Sequence, residues 1–450
     1  MDIVPSIFKD YDVRGKVGTE LNAETAKRIG MAFASFLPQQ GAVAVGRDMR
    51  ADSGELAGAL IQGLRDMGRD VVDIGEVTSD MIYFAVGKLE MAGGAMVTAS
   101  HNPGEFNGIK LCREEARPVG LSSGLDKVRD AAIANQFTPA TSAGSLKTQD
   151  VREDWITHVL GFIEPGKLTP LRLGVDAGNG MAGAIFPFLE KHVPWQITEL
   201  YLELDGTFPN HEANPMKFET LTDLIAQIKE KGLDGGVAFD GDGDRAFLLD
   251  ETGTVLPGSV MAAMLGEYFL DKFPGSPITY DARVSHTVPD IIAAKGGTGI
   301  RTRVGHSNIK QAMREADASF GCEASGHFYF RDNWYADSGL IAAVIGLYVA
   351  TLSGKKLSQL RQQYTTYASI PETNFKVDDK DAVIQRIADA FKDSPQDRLD
   401  GITVTLPDGW LNVRPSNTES VIRLNAESDT QSQLDQLVAK VTSLIAGTAA

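Results

Sequence analysis

A pattern that occurs three times along the chain constrains its fold more than any other feature. In each copy an apolar run ends in an aspartate, a helical segment follows, and a second apolar run closes the unit. The three aspartates are Asp48, Asp176 and Asp281. Because a strand–helix–strand unit joins parallel strands, each copy predicts an α/β domain. Ligands usually bind in the loops at the carboxyl ends of such strands.

The first copy carries the clearest helical signals. Apolar residues from Leu56 to Leu64 recur at helical spacing and share one face. We expect Asp52 and Glu55 to form a capping box at the start of this helix, and Gly68 to end it. The helix is thus predicted to lie between the strands "GAVAVGRD" and "RDVVDIG".

The C-terminal part of the chain follows a different pattern. Three apolar runs are broken by turn residues, with a turn predicted at "PDGW", and a helical stretch then covers residues 431–445. A chain of 450 residues is also too long for one compact core. We therefore predict three related mixed-sheet α/β domains and a smaller C-terminal α+β domain. The predicted bounds are 1–147, 148–251, 252–367 and 368–450, with a linker at 134–150.

Composition narrows the class of protein. The chain has 60 acidic and 43 basic residues and a net charge of −17, which argues against nucleic-acid binding by bulk attraction. No run of eighteen apolar residues predicts a membrane span, and the N-terminus does not resemble a signal peptide. Cys112 and Cys322 lie far apart and are expected to be free thiols. We therefore expect a cytoplasmic protein with no nucleic-acid or membrane partner.

The segment "VAFDGDGDR" contains three aspartates in five residues, Asp240, Asp242 and Asp244. Such crowding raises the pKa of each carboxyl unless a cation compensates. Oxygen ligands without His or Cys suit Mg²⁺. An EF-hand loop that ends at Glu251 is an alternative, but its sixth position requires glycine and is Arg245 here. An acidic surface turn is the other alternative; Arg245 beside the aspartates favours an anionic substrate near a metal.

The segment "TASHNPGEFNGIK" follows the apolar stretch "GGAMV". Ser100 therefore lies in a loop just after a predicted strand, and Pro103 makes the loop tight. A serine beside a histidine, here His101, is by itself more often part of a turn than a nucleophile. Lys110 strengthens the functional interpretation, because its charge could stabilise a phosphoryl oxygen.

Two further segments carry polar groups in patterns that indicate a binding site. In "GCEASGHFYF", Glu323, Ser325 and His327 are spaced to face one side of an extended chain, although a strand with a core histidine is the alternative. "RPSNTES" offers groups that bind phosphate, although an ordinary turn is the alternative. The groups in RPSNTES are Arg414, Ser416, Asn417 and Thr418. Weaker candidates are Tyr11 and Arg14 in "YDVRG" and His306 and Lys310 in "RVGHSNIK".

Five motifs occur in one order: YDVRG, TASHNP, DGDGDR, GCEASGH and RPSNTE. Together they resemble the α-D-phosphohexomutase superfamily, in particular its phosphomannomutase/phosphoglucomutase branch, and the resemblance covers nearly the whole chain. It implies four domains in a heart-shaped arrangement. It also implies a mutase that interconverts hexose 1-phosphate and hexose 6-phosphate, of mannose, glucose or both, through a hexose 1,6-bisphosphate that turns over within the site.

The resemblance also implies roles for particular residues. Ser100 would carry the phosphoryl group and, with Asp240, Asp242 and Asp244, would hold Mg²⁺. His327 would be the general base. The catalytic set that we expect is Ser100, His101, Lys110, Arg14 and His327. The substrate-binding set that we expect is Tyr11, Arg245, Arg283, His306, Glu323, Ser325, Arg414, Ser416, Asn417 and Thr418.

Two positions depart from the commonest family pattern, and two rival functions stay open. Gly104 stands where relatives often have proline, and Arg283 where several dual-specificity relatives have lysine. The first rival is a phosphoglucosamine mutase, which YDVRG and RPSNTE disfavour. The second is a Mg²⁺-dependent sugar-phosphate phosphatase, which would share the first half of the reaction. We expect a monomer or a weak homodimer.

Overall fold

The computed structural model of the protein describes residues 3–416 and 421–447. The chain divides into two units, and neither is continuous in sequence. The first unit is Met1–Leu256 with His327–Ser358, and the second is Pro257–Gly326 with Gln359–Ala450.

The N-terminal segment of the first unit forms a mixed sheet covered by helices. Its elements are β1 (Val13–Lys16), α1 (Ala23–Phe36), β2 (Val43–Arg47), α2 (Ser53–Asp66), β3 (Val71–Glu76), α3 (Ser79–Lys88), β4 (Gly93–Val97), β5 (Phe106–Arg113), α4 (Leu125–Ala134) and β6 (Leu146–Thr148). The strand order is β1-β5-β4-β2-β3-β6. The strands β2, β3, β4 and β6 are parallel, and β5 is antiparallel to both of its neighbours.

Two local expectations in this segment are wrong. Among the described residues Asp52 accepts no capping hydrogen bond, because its backbone (φ −93°, ψ −8°) is already helical and its carboxylate is not placed to accept from the first turn. The expected linker at 134–150 also contains β6, which pairs with β3. All three residues of β6 are exposed, so no apolar pattern marks it in the sequence.

The next segment of the first unit is built on a second mixed sheet. Its elements are α5 (Arg152–Leu160), β7 (Arg172–Asp176), α6 (Ala182–Leu189), β8 (Gln196–Leu200), α7 (Thr222–Lys231), β9 (Gly235–Phe239) and β10 (Ala246–Asp250). The strand order is β10-β9-β7-β8. The strands β9 and β10 are buried throughout and form an antiparallel hairpin, whose connection is the aspartate-rich segment 240–245.

The second unit begins with a third α/β segment, after which the chain returns to the first unit. The elements up to residue 326 are α8 (Gly258–Lys272), β11 (Pro277–Asp281), α9 (Thr287–Ala294), β12 (Thr298–Thr302), α10 (His306–Ala316) and β13 (Phe320–Cys322). The strand β11 is parallel to β12 and β13. The returning elements are β14 (Phe328–Phe330), β15 (Ala336–Asp337) and α11 (Gly339–Ser353). Ser338 Oγ donates a 2.6 Å hydrogen bond to Asp80, which fixes α11 to the start of α3.

The C-terminal part of the second unit is an antiparallel sheet with two helices. After α12 (Leu357–Tyr364), its elements are β16 (Ala368–Ser369), β17 (Thr373–Lys376), α13 (Lys380–Ala390), β18 (Gln396–Asp397), β19 (Ile402–Leu406), β20 (Gly409–Pro415), β21 (Val421–Ser428) and α14 (Gln431–Ala446). Apolar residues of both helices and of β19–β21 form its core. The predicted fold class is confirmed: three α/β segments have mixed sheets, and the last segment is smaller and α+β.

Among the residues that the structure describes, no single helix has the length and apolar composition needed to cross a membrane. The helices α11 and α12 meet that test only when they are taken together as a sharply bent pair.

Candidate active site

The loop that carries Ser100 follows β4 and is closely held. Ser100 is 5% exposed and has a left-handed backbone (φ 51°), which is uncommon for a residue with a side chain. Its N–H donates to Thr98 Oγ1 at 2.9 Å, and its Oγ donates to Asp240 Oδ2 at 3.2 Å. The hydroxyl therefore faces the connection between β9 and β10.

That connection brings the three aspartates against the Ser100 loop. A Cβ atom at Gly241 would lie 2.4 Å from the Ser100 carbonyl oxygen, so only glycine permits this approach. Ligand atoms of Asp240, Asp242 and Asp244 lie within 4.8 Å of one another, and all three residues are buried. The sequence prediction that these carboxylates converge is confirmed.

Cations neutralise the aspartates from two sides. Lys110 Nζ lies 2.6 Å from Asp242 Oδ2 and 2.6 Å from Asp244 Oδ2. Arg245 Nε lies 2.9 Å from Asp240 Oδ2. Burial is the largest single influence on Asp242 and Asp244 and would raise the pKa of each. Lys110 and the Ser79 hydrogen bond together lower the pKa of Asp242, and the charges of Lys110, His327 and Arg245 together lower that of Asp244. Burial dominates at Asp240 and raises its pKa.

The aspartate cluster fits a hard divalent cation. Asp242 Oδ1 and Asp244 Oδ1 are buried and accept no hydrogen bond from any residue that the structure describes. Buried carboxylate oxygens of this kind are costly unless a cation binds them. The donor set consists of oxygen atoms alone, which favours Mg²⁺ over softer metals.

The other predicted residues of the first unit surround the same point. Arg14 is ion-paired with Asp12 and donates to Asn102 Oδ1 at 2.9 Å and to a carbonyl of the Ser100 loop. His327 Nε2 lies 3.9 Å from Asp244 Oδ1. Tyr11, three residues before Arg14, is 38% exposed.

His101 contacts both a cation and the serine. Arg245 Nη2 lies 2.6 Å from its Nδ1, and Ser100 Oγ lies 3.2 Å from the same atom. Desolvation and the positive charges of Arg245 and Arg14 lower the pKa of His101 to about 3. The imidazole is therefore neutral at physiological pH.

The second unit contains a separate cluster of charged residues. Arg283 is ion-paired with Asp281 at 2.6 Å and lies 3.8 Å from Glu323. Glu323 accepts from the Gly305 N–H at 3.0 Å, at the start of α10 where His306 is the first residue. The structure thus brings Arg283 and Glu323 together beside a helix N-terminus.

Glu372 was not recognised in the sequence and lies at the centre of this cluster. Its carboxylate lies 2.9 Å from Arg414, 3.6 Å from Arg423 and 4.0 Å from Arg283. Arg414 and Ser416 are buried. Asn417 and Thr418, which were predicted beside them, lie outside the described residues. The sequence around Glu372 does not indicate this role, because the arginines that it contacts are distant in sequence.

The predicted two-residue alternation of Glu323, Ser325 and His327 does not occur in an extended chain. Strand β13 ends at Cys322, β14 begins at Phe328, and the residues between them form a turn in which Gly326 has φ 87°. Gly326 permits the turn because glycine adopts a positive φ readily. The side chains of residues 323–327 therefore do not alternate as they would along a strand. Ser325 and His327 are half-buried in it.

Arg50 is a second residue whose role the sequence did not indicate. Its guanidinium is buried and donates hydrogen bonds to four backbone carbonyls of the Ser100 loop. Only its place two residues after the strand-ending Asp48 distinguishes it in the sequence.

Comparison with known proteins matches all four segments of the chain to one family. Family models described as phosphoglucomutase/phosphomannomutase alpha/beta/alpha domains I, II and III match residues 5–138, 153–253 and 257–367, and the C-terminal domain model matches 372–444. The chain is 41% identical over 431 residues to a phosphomannomutase of Escherichia coli (strain K12), with 94% of each chain covered. It is 39% identical over 424 residues to a protein of Xanthomonas campestris pv. campestris (strain B100) called phosphohexose mutases, again with 94% of each covered.

A solved structure is also similar over the full length. The crystal structure of a phosphoglucomutase/phosphomannomutase family protein from Burkholderia thailandensis is 32% identical, with a TM-score of 0.91, and 100% of this chain and 99% of that chain are covered. The chain belongs to the phosphoglucomutase/phosphomannomutase family. It is an enzyme of the isomerase class, a phosphohexomutase, as the five sequence motifs predicted.

Proposed function

We propose that this phosphohexomutase interconverts the 1-phosphate and 6-phosphate of mannose, glucose or both, through phosphorylated Ser100 and a hexose 1,6-bisphosphate. The observation that carries the proposal is the contact of Ser100 Oγ with Asp240 at 3.2 Å, beside the unsatisfied oxygens of Asp242 and Asp244. A nucleophile needs such a site, where a cation and fixed donors offset the charge of a phosphoryl group. Similarity to phosphomannomutases, such as that of Escherichia coli (strain K12), supports mannose as a substrate.

In the first half-reaction the bond between phosphorus and Ser100 Oγ breaks, and a new bond forms from phosphorus to a sugar hydroxyl oxygen. Asp240, Asp242 and Asp244 would hold Mg²⁺, which offsets negative charge on the phosphoryl oxygens when bound. Lys110 and Arg245 hold the aspartates in place. Their fixed charges also stabilise the transferring group.

His327 is the proposed acceptor of the proton that the sugar hydroxyl loses. Ser100 Oγ takes up one proton from water as its bond to phosphorus breaks, so the serine hydroxyl is regenerated and the protons balance. His101 is the weaker candidate, because Arg245 occupies its Nδ1 and its pKa is about 3. We assign His101 a positioning role beside Ser100 and Arg14 an electrostatic one. The second half-reaction reverses these steps on the other end of the sugar, so Ser100 recovers its phosphoryl group.

The bisphosphate must turn over between the two halves. Both orientations share a distal phosphate and the hydroxyls at C3 and C4, so one set of groups serves both. We propose that Glu323 and Ser325 bind those hydroxyls, and that a second set holds the distal phosphate. That set is Arg283, His306, Arg414, Ser416, Asn417 and Thr418, with Tyr11 contacting the sugar.

Domain bounds and cellular context are part of the same proposal. We retain the domain bounds 1–147, 148–251, 252–367 and 368–450. We also propose a cytoplasmic enzyme, a monomer or weak homodimer, with no nucleic-acid or membrane partner.

A coupled assay tests the proposed substrate and chemistry. Mannose 1-phosphate, glucose 1-phosphate and glucosamine 1-phosphate are supplied separately, and both the 6-phosphate formed and the inorganic phosphate released are measured. We expect the two hexose phosphates to be isomerised with little release of inorganic phosphate. A preference for glucosamine 1-phosphate would support a phosphoglucosamine mutase, and stoichiometric inorganic phosphate would support a phosphatase. Intact mass and peptide mapping should find one phosphate on Ser100.

A further inference from the structure

We infer that Arg50 is a positioning residue for the phosphoryl transfer, because its guanidinium fixes the backbone shape that presents Ser100. The inference rests on the proposed function, since it concerns how Ser100 is held for reaction. Arg50 lies 50 residues before the serine and belongs to the turn after β2.

All five N–H groups of the Arg50 guanidinium are engaged within the protein. Nε donates to Asp48 Oδ2 at 3.2 Å. The other four donate to the carbonyl oxygens of Ser100, Asn102, Pro103 and Phe106, at 2.9, 2.6, 2.9 and 3.0 Å. Its side chain is 1% exposed. Arg50 therefore has no donor left for a substrate, and its contribution is made through the loop.

The loop needs this support because of its shape. Ser100 has a left-handed backbone, which costs energy for a residue with a side chain and persists only when its surroundings hold it. The Ser100 carbonyl accepts a hydrogen bond from Arg50 and lies close against Gly241. Fixing this carbonyl fixes the peptide plane after Ser100 and hence the direction of its Cα–Cβ bond, from which Oγ reaches Asp240 at 3.2 Å.

Arg50 is itself fixed by a buried chain of hydrogen bonds. Asp48 Oδ1 accepts from the Arg50 N–H at 3.1 Å and from Ser53 Oγ at 2.5 Å. Asn107 Nδ2 donates to Ser53 Oγ at 2.9 Å. The ring of Phe208 lies 5.2 Å from the guanidinium carbon. The guanidinium thus has one position, which a positioning role requires.

Lysine at this position carries the same charge but is a point donor on a flexible stem. It cannot bind four carbonyls in the plane that the guanidinium provides. A displacement of the reacting group by about 1 Å can cost roughly 100-fold in rate. We therefore expect Arg50→Lys to lower kcat about 100-fold and to change KM less than about threefold, because no substrate contact is removed.

Arg69 is the matched control. It is also buried, and its guanidinium donates to the carbonyls of Ala34, Leu37 and Gln39 at the end of α1. Arg69→Lys removes the same kind of buried interaction at a position that has no contact with the Ser100 loop. We expect it to lower the melting temperature and to leave kcat unchanged.

The deciding experiment is a single-turnover measurement on the full-length wild-type, Arg50→Lys and Arg69→Lys proteins. Dephosphorylated enzyme is mixed with glucose 1,6-bisphosphate, and the rate at which Ser100 gains phosphate is followed by intact mass and peptide mapping. We expect transfer to Ser100 to be about 100-fold slower in Arg50→Lys alone, with circular dichroism like that of the wild type. Transfer at the wild-type rate, or equal slowing in Arg69→Lys, would overturn the inference.

Failure of the proposed function gives a different result. If the wild-type protein gains no phosphate at Ser100, the role of Ser100 itself is wrong. If the wild-type protein is phosphorylated there and Arg50→Lys reacts equally fast, only the role of Arg50 is wrong. Should Arg50→Lys not fold, Asp48→Asn supplies the second test, because it loosens Arg50 and leaves the guanidinium present. We then expect slower transfer to Ser100 at unchanged KM, and an unchanged transfer rate would overturn the inference.

Discussion

Two turns of the same local design use their arginines differently. Asp48 and Arg50 follow β2 in the first unit; in the second, Asp281 is the last residue of β11 and Arg283 follows it. In each turn the aspartate accepts from the backbone N–H and from Nε of the arginine, at 3.1 and 3.2 Å in the first and at 2.7 and 3.0 Å in the second. The remaining donors of Arg50 meet backbone carbonyls, whereas Arg283 lies near three carboxylates.

The difference in partners implies a difference in role. A carbonyl of the Ser100 loop cannot be exchanged for a ligand unless the loop itself moves, so Arg50 is committed to structure. A carboxylate beside Arg283 can be exchanged for a substrate phosphate, because both are anions that bind a guanidinium through two oxygens. Substitutions around the first turn should therefore change the rate, and substitutions around the second should change the affinity.

The largest effect on the rate side is expected from Ser100→Ala. Loss of a nucleophile lowers kcat on the order of 10⁴- to 10⁶-fold in other enzymes, and we expect this range here. Substrate binding should survive, as measured by isothermal titration with mannose 1-phosphate. Ser35→Ala is the control, since its hydroxyl bonds only within α1. Activity of Ser100→Ala within tenfold of the wild type would exclude the phosphoserine.

Removal of the metal should have the second largest effect on the rate. Chelation with EDTA should lower the rate roughly 10²- to 10³-fold, the size of effect produced by losing an electrostatic stabiliser, and Mg²⁺ should restore it. Asp242→Asn should raise the Mg²⁺ concentration needed for half-maximal rate, whereas Asp234→Asn, at the residue just before β9, should not. Full activity after exhaustive chelation would contradict the metal assignment.

On the affinity side, Arg414→Ala should have the largest effect. An arginine–phosphate interaction contributes on the order of 1.5–3 kcal/mol, so KM should rise about ten- to a hundredfold. The bisphosphate should also escape more often, which is measured as free glucose 1,6-bisphosphate per turnover. Arg386→Ala, whose guanidinium binds carbonyls at the end of α14, is the control in the same unit. Unchanged KM and unchanged release would show that RPSNTE is only a turn.

The smallest kinetic effect is expected from Arg283→Lys. This variant allows a direct comparison of the two turns. Lysine keeps the charge but loses the second donor, so KM should rise about two- to fivefold with kcat nearly constant. Steady-state kinetics of Arg50→Lys and Arg283→Lys, measured in parallel, should separate into a rate effect and an affinity effect. A pair of variants with the same kinetic pattern would remove the distinction between the turns.

Much of the architecture could be predicted because it depends on local patterns. The helix predicted around Leu56–Leu64 forms as α2, and the final helix predicted at 431–445 forms as Gln431–Ala446. The loop of Ser100 follows a strand as expected. Spacing in DGDGDR was sufficient to bring three carboxylates together, because the glycines between them allow the chain to turn.

The features that could not be predicted depend on contacts between distant residues. Arg50 contacts carbonyls about 50 positions away, and backbone carbonyls have no sequence signature. Glu372 meets arginines from two other parts of its unit. Residues 323–327 form a turn because Gly326 adopts a positive φ, which a period of two residues does not encode.

The discontinuity of the first unit has a consequence for biosynthesis. The bond from Ser338 to Asp80 joins a late segment to an early one, and Gly339 packs against the backbone of Arg245, where a Cβ atom would meet the carbonyl carbon at 2.6 Å. A ribosome must therefore deliver residues 257–326, which belong to the other unit, before the reactive centre can be completed. A nascent chain released at residue 256 would leave buried polar groups without their partners, so catalytic competence is acquired late in translation.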